Sequence, residues 1–402
     1  MNRYFIKKAV TACMLVAVLI VGFVMNMQSS FTEIKKSISL DLNDKKDIRT
    51  LISNVESIID ERAYGKYVGI EAYGYMQRLL GKNEENDFEV IKDRSGSLHF
   101  SYFGNGAKDT SSLVEKMEFY KNSLTNKETK LLYVATPDKV LLGITQFESG
   151  LPNHYANETL DGFLDGLTKV GIDSIDYRKT IANSGIDTAE LFFRTDHHWT
   201  IQTAFWAYKE LVNELSSDYG MNVPNLDFYT ELKNYNVVTY EDSFIGSLGR
   251  KTGVPYSGID DFSLIYPKFD TDYTFTATLG DSVIRTEGIF EESLLNLACL
   301  RYNDTKYGLE GDRYSTYVYG TQGTVHIKNN KIADGPKILL VKDSFMAPVA
   351  AFLSTVCSDV YLVDPRYYED NIVDYTNSIK DLDYVLVSFT PQNLTEEFFR
   401  FE

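Results

Sequence analysis

Residues 194–200 read Arg-Thr-Asp-His-His-Trp-Thr and hold two of the five histidines in the chain. Asp196 stands two positions before His198. In an extended or tightly turned loop that spacing sets a carboxylate beside an imidazole, the pairing that makes a general base. A base of this kind activates a hydroxyl, because serine alone is a weak nucleophile. Far downstream, Ser344 in Leu-Leu-Val-Lys-Asp-Ser-Phe follows an apolar run and opens a helical stretch. A side chain there stands over a strand end, and the helix start offers free N–H groups for a developing oxyanion. Ser344 equally suits a plain helix N-cap.

The neighbours of this pair have alternatives of their own. His197 points away from His198 in extended backbone, so it either meets substrate or bonds to the main chain. Trp199 either packs the loop or walls a pocket. A rival use of Asp196, His197 and His198 is metal ligation. Adjacent histidines diverge, however, and zinc ligands are usually two or more residues apart. The other histidines, His99, His154 and His326, are scattered. No metal and no organic cofactor is therefore expected, and a merely structural polar loop remains the plain alternative.

The elements that must position these residues are legible on both sides. From Trp199 onward, Ala204, Tyr208, Leu211, Val212 and Leu215 share one helical face, with Thr195 or Thr200 as the cap. The histidines thus sit in the loop leading into a helix. Around Ser344 the chain reads as strand (PKILLVKD), helix (SFMAPVAAFLSTV), strand (DVYLVDP), helix (YEDNIVDYTNSIKD) and strand (DYVLVSFTP). That rhythm predicts a parallel sheet covered by helices, with its chemistry at the carboxyl ends of the strands. Upstream, KLLYVATPDK is a buried strand and SSLVEKMEFYKNSL a helix. YVGIEAYGYMQRLL mixes strand-like residues with glycines at the start of the globular part. Residues 221–330 carry FSLIYP, YTFTATLG, STYVYGT and GTVHIKN, which predict a β-rich excursion from the main sheet.

Composition bounds the setting. The chain has 402 residues, 44% hydrophobic and 24% charged, with a net charge of -17. That charge repels a nucleic-acid backbone, so no nucleic-acid partner is expected. The 28 tyrosines would suit a surface that stacks on sugar rings, and equally a large core. The three cysteines form no CxxC. Arg3, Lys7 and Lys8 precede an uncharged run over residues 9–25. A positive flank before an apolar run of about 25 Å reads as a signal peptide or signal anchor. The expected organisation is a signal anchor over 1–27, a helical stalk over 28–65 and a catalytic domain over 66–402 with the β-rich insertion. The domain would lie outside the cell, anchored in the membrane or secreted after cleavage.

The Thr-Asp-His-His-Trp block and the later Lys-Asp-Ser-Phe strand-turn-helix resemble the DHHW family of bacterial exported proteins, which is similar to the SGNH-hydrolase-like proteins of alginate O-acetylation. The resemblance covers about residues 66–402. It implies an α/β, three-layer SGNH-hydrolase-like fold with a central parallel sheet. It also implies Ser344 as nucleophile, His198 as base and Asp196 as its partner. From the residues themselves, Asp343 keeps the middle position of the block and would orient the loop, Arg366 after Val-Asp-Pro either faces the same strand-end crevice or is a surface arginine, and His197 and Trp199 are candidates for substrate binding or support. Position 342 is Lys where the family block begins with Gly. Further oxyanion donors are not obvious, Gly246, Gly249 and Asn393 being the candidates. The implied activity is O-acetyl transfer to a cell-wall or surface polysaccharide from a membrane-bound acetyl donor protein. A carbohydrate O-acetylesterase and a non-catalytic surface glycan-binding protein are the alternatives.

Overall fold

Lys130–Ala135, Lys337–Lys342 and Tyr384–Ser388 are apolar on both faces, and strands of that kind need cover on both sides. The computed structural model describes residues 2–43, 48–101, 104–151, 154–301 and 311–401. It divides into two units, Met1–Met76 and Gln77–Glu402. Residues 44–47 of the expected stalk and 302–310 of the expected β-rich stretch lie outside the described residues.

In the first unit a helix runs from Asn2 to Asn43. Within it, Tyr4–Gln28 is long and apolar enough to cross a membrane. The helix Ile48–Glu61 follows, and Asn54 donates to Asp41 of the first helix at 2.8 Å. Residues read above as a strand-like opening form instead the helix Lys66–Leu79, since β-propensity is a weak guide where no sheet partner is at hand.

The second unit is built on an eight-stranded sheet. Its strands in chain order are β1 (Lys130–Ala135), β2 (Asp173–Asp176), β3 (Tyr273–Leu279), β4 (Ser282–Gly288), β5 (Thr324–Asn329), β6 (Lys337–Lys342), β7 (Asp359–Val363) and β8 (Tyr384–Ser388). Their order across the sheet is β2-β1-β8-β6-β7-β5-β3-β4. The first five neighbours in that order are parallel, and β5, β3 and β4 continue antiparallel. The sheet is therefore mixed rather than parallel throughout. The reason lies in the β-rich stretch, whose tightly joined strands add to the main sheet's edge instead of leaving it. Among the described residues of that stretch, only the ribbon of Tyr235–Phe244 and Asp260–Pro267 stands apart from it. STYVYGT makes no strand. Arg313–Thr316 is a 3₁₀ turn, Val318 and Tyr319 have φ of 47° and 60°, and the Tyr317 hydroxyl bonds both backbone polar groups of Ile265.

Strand alternation divides the interior into two cores. Leu132, Val134, Ile338, Leu340 and Leu386 face the helices Ile201–Ser217 and Met346–Leu353. Leu131, Tyr133, Leu339, Val341, Val385 and Val387 face the helices Ser111–Ser123, Ala156–Lys169 and Ile372–Ser378. The result is an α/β fold with a large mixed sheet flanked by helices. Asp138, Ser344, Asp364 and Thr390 all follow the carboxyl ends of its parallel strands.

Gly323 joins three parts of this frame. Its N–H donates to Thr278 O at 2.9 Å and its carbonyl accepts from Asp364 N at 3.1 Å. A β-carbon there would lie 2.6 Å from the Tyr367 carbonyl oxygen. Beside the main sheet, a small antiparallel sheet of Glu84–Glu85, Val90–Lys92 and Leu98–Phe100 carries His99 in its last strand. His99 is 2% exposed, and its Nε2 lies 2.9 Å from Asp93 Oδ2.

Two outcomes are expected. Gly323→Ala should destabilise the unit by about 1–3 kcal/mol, read by denaturant melts, because backbone rather than a flexible side chain must move. Burial above all, with the charge of Lys139, holds the His99 pKa down to about 4 from 6.5, against the opposing pull of Asp93. The unfolded chain therefore takes this proton first. Its share of stability is complete above about pH 6.5 and is lost as pH falls through about 4, by about 3 kcal/mol. Melts of His99→Gln across that window should show a correspondingly shallower dependence.

Candidate functional site

The Asp-His-His-Trp loop is a tight turn held by its own backbone. Phe192 bridges Trp199, and Phe193 N donates to His198 O at 3.1 Å. Inside it Asp196 Oδ1 accepts from His198 N at 3.0 Å and lies 2.6 Å from His198 Nδ1. The carboxylate thus fixes the turn and meets the ring with one oxygen. Its Oδ2 accepts from Ser247 N at 2.6 Å. Thr200, not Thr195, caps the helix that follows, its hydroxyl accepting from Thr203 N.

His198 Nε2 lies 2.7 Å from Ser344 Oγ. The structure therefore brings Asp196, His198 and Ser344 into one hydrogen-bonded chain. Ser344 does not cap the helix Met346–Leu353, whose N-cap position is Phe345. Burial pushes the Asp196 pKa up. Attraction to the imidazoles of His197 and His198 and the bonds from His198 and Ser247 outweigh it, holding the carboxyl well below its ordinary value. His197 lies beside the chain, with Nδ1 3.0 Å from Ser247 Oγ. Burial and the charge His198 can carry lower its pKa, so its ring is neutral in ordinary buffers.

Trp199 is fully buried and stands out of the cleft. Its indole N–H reaches both Tyr314 Oη and Phe345 O at 3.1 Å, which ties the histidine turn to the residue after Ser344. Tyr314 also donates to Phe345 O at 3.1 Å and stacks on His198 with ring centroids 3.9 Å apart. Asp343 lies beneath the serine. It accepts from Phe345 N at 3.1 Å, Thr390 N at 2.7 Å, Thr390 Oγ1 at 3.0 Å and Asn393 Nδ2 at 2.8 Å.

Lys342 pairs with Ser388 in regular register and lies 3.8 Å from Asp364 Oδ2. Its backbone is ordinary strand, so this position makes no demand for glycine. Arg366 holds Asp364 through Nε at 2.9 Å and Nη2 at 2.7 Å. Gly246 and Gly249 do not supply oxyanion donors. Gly246 N donates to Thr195 Oγ1 at 2.8 Å, and Gly249 N donates to Thr195 O at 2.8 Å. Gly246 serves a different purpose, because a β-carbon there would lie 2.2 Å from Asp196 Cβ.

Sequence reasoning missed Lys139. Its buried ammonium donates to Leu98 O and Phe193 O at 2.6 Å, Arg194 O at 3.2 Å and Asp196 O at 2.8 Å. Burial lowers its pKa to about 8, against the raising effect of Asp260, Asp196, Asp93 and Asp138. Asp260 fixes the same turn by accepting from Arg194 N at 3.0 Å and Thr195 N at 2.7 Å. Neither residue, nor Tyr314 or Ser247, lies near the Asp-His-His-Trp block in sequence, and no local signal marks them.

Two pockets meet at His197, Ser344 and Arg366. The first, ≈ 140 Å³, reaches to His99, Asp138, Lys139 and Asn393. The second, ≈ 180 Å³, reaches to His198, Asp312, Tyr314 and Thr321. Ligand atoms of Asp196, His197 and His198 fall within 4.8 Å of one another. Each already serves the hydrogen bonds above, so a cation there would have to replace them.

A family model described as DHHW protein matches residues 182–363, a span that contains both Asp196–Trp199 and Ser344. A second, described as SGNH hydrolase-like domain, acetyltransferase AlgX, matches residues 105–235. No protein of curated function matches the chain. Among solved structures, Bacillus cereus PatB1 with a sulfonyl adduct superposes with a TM-score of 0.61 at 18% identity, over 78% of this chain and 97% of that one. A DHHW family protein from Eubacterium siraeum DSM 15702 superposes with a TM-score of 0.57 at 18% identity, over 77% of this chain and 92% of that one. Two family models, each over part of the chain, and this shared fold support membership in the DHHW and SGNH-hydrolase-like group.

Proposed function

We propose that this protein is an extracytoplasmic O-acetyltransferase that acts on cell-wall or surface polysaccharide through an acyl-enzyme on Ser344. The observation that carries the reading is the hydrogen-bonded chain from Asp196 Oδ1 through His198 to Ser344 Oγ, with links of 2.6 and 2.7 Å. Ser344 Oγ attacks the acetyl carbonyl of a donor as His198 Nε2 takes its proton. His198 then returns that proton to the departing donor group, leaving acetyl on Ser344. A sugar hydroxyl attacks next and gives its proton to His198, which returns it to Ser344 Oγ as the acyl–Ser344 bond breaks and the sugar ester forms. Asp196 stays ionised and holds the ring with Nδ1 protonated, which stabilises the imidazolium that forms in each half.

The oxyanion falls to backbone N–H groups around Ser344 other than those of Phe345 and Ala347, which already donate to Asp343 Oδ1 and Ser344 O. The Arg366 guanidinium borders both pockets at this point and adds positive potential. Bacillus cereus PatB1 is known with a sulfonyl adduct, and sulfonyl reagents modify activated nucleophiles. The family model that matches residues 105–235 is described by an acetyltransferase. The membrane-length helix over Tyr4–Gln28 suits a surface location, a polysaccharide acceptor and a membrane-bound acetyl donor protein. Water in place of the sugar would make the same site an esterase.

The test is intact-mass spectrometry of the full-length protein in detergent after exposure to p-nitrophenyl acetate. The wild type should gain one acetyl group and Ser344→Ala none, with His198→Ala acylated about 10²–10⁴-fold more slowly. A wild-type adduct that persists in Ser344→Ala would refute the assignment. Gly246→Ala should still form its adduct on Ser344, but about 10²-fold more slowly, because the added methyl displaces Asp196 and with it the base. A Gly246→Ala rate equal to wild type would show that the Asp196 position is not critical.

A further inference from the structure

The first pocket has a wall that the transfer scheme leaves unused. His99 lines it, together with Asp138 and the pocket's shared residue Ser344. Nε2 of His99 faces the Asp93 carboxylate, which can only accept, so Nε2 carries the ring proton. Asp93 is itself locked by Ser95 N and Ser97 N, each at 2.9 Å. The tautomer is thereby set, and Nδ1 is left with a lone pair. That atom is buried and has no hydrogen-bond partner among the described residues. A buried acceptor without a donor is costly, and such exceptions ask for a missing partner.

We propose that His99 Nδ1 accepts a hydrogen bond from a hydroxyl of the sugar acceptor, and so helps decide which molecule takes the acetyl group from Ser344. This rests on the acyl-transfer reading above. The partner must bring a hydrogen to Nδ1, which excludes a carboxylate or phosphate oxygen. An ammonium group is disfavoured, because Lys139 and Arg366 border the same pocket against one carboxylate, Asp138, whose pKa burial pushes up. A neutral hydroxyl meets both conditions. The lowered pKa of His99, about 4, keeps the lone pair available in ordinary buffers. His99 moves no proton in the transfer: the attacking hydroxyl gives its proton to His198.

The test uses full-length protein in detergent, p-nitrophenyl acetate as donor and methyl β-D-glucopyranoside as acceptor. The readout is the ratio of acetylated glucoside to free acetate, which is independent of how fast the acyl-enzyme forms. His99→Gln keeps an N–H for Asp93 but has no acceptor at the Nδ1 position. His99→Asn places an amide oxygen there and gives up the Asp93 bond. The expected result is a ratio lowered about 10-fold in His99→Gln and largely restored in His99→Asn. Equal ratios in wild type and His99→Gln, or a loss in both variants, would overturn the proposal.

A wild type that forms no acetyl adduct, or no acetylated glucoside, would leave the partition unreadable. The subsite is then decided by nitrogen NMR of histidine-labelled Ser344→Ala protein titrated with the same glucoside. An upfield move of the His99 Nδ1 resonance supports the subsite, and an unmoved resonance at saturating glucoside overturns it. Failure of the adduct and failure of the subsite are therefore separate results.

Discussion

A carboxylate taken out of water must find a donor for every lone pair it presents, and Asp196 is the place where this fold meets that demand. The main-chain N–H groups of His198 and Ser247 and the ring nitrogen of His198 converge on it. Because one oxygen serves both the turn and the imidazole, the orientation of the His198 ring is a by-product of closing the loop. The surrounding oddities follow from that arrangement. Gly246 must lack a side chain to let Ser247 approach, and Lys139 must lie buried to gather the carbonyls that the turn exposes inward. Isolated, a buried ammonium would be costly. Here four carbonyl oxygens and four nearby aspartates compensate it.

The second half of the site is made rigid in a comparable way. Asp343 collects Phe345, Thr390 and Asn393 beneath Ser344, so the serine turn is pinned to the loop after β8. Trp199 and Tyr314 then join the two halves through one acceptor, the Phe345 carbonyl. A hydroxyl and an imidazole 2.7 Å apart are useful only if neither drifts, and a misplacement of about 1 Å can cost on the order of 10²-fold in rate. Aromatic struts anchored by hydrogen bonds supply that rigidity without placing further polar groups in the cleft.

Charge is distributed against the average. The chain carries a net charge of -17, yet Lys139, Lys342 and Arg366 gather at the carboxyl ends of the parallel strands. Two of these cations share Asp364, and Arg366 also rests against Phe398 and Tyr367. Carboxylates compensate each of these cations, and on the acyl-transfer reading the Arg366 guanidinium at the edge of both pockets would favour an oxyanion as it develops.

The sequence by itself determined the local pieces whose geometry is short in range. The Asp-x-His spacing sets a carboxylate beside an imidazole wherever the loop turns tightly, and the β-α-β-α-β rhythm around Ser344 places it past a strand end. Both are consequences of neighbours along the chain, and they were legible before any coordinates. The mixed character of the sheet was not, because strand direction at its edge depends on which partner β5 finds, and that partner, β7, comes later in the chain. Residues 67–80 were misleading for a related reason: their β-branched and aromatic side chains have no sheet to join. The supports Lys139, Asp260, Ser247 and Tyr314, like the buried, unpartnered acceptor on His99, exist only through tertiary structure. Each acts on a backbone group or ring brought to it from a distant part of the chain, and a buried lysine or tyrosine carries no mark in sequence of what it will be folded against.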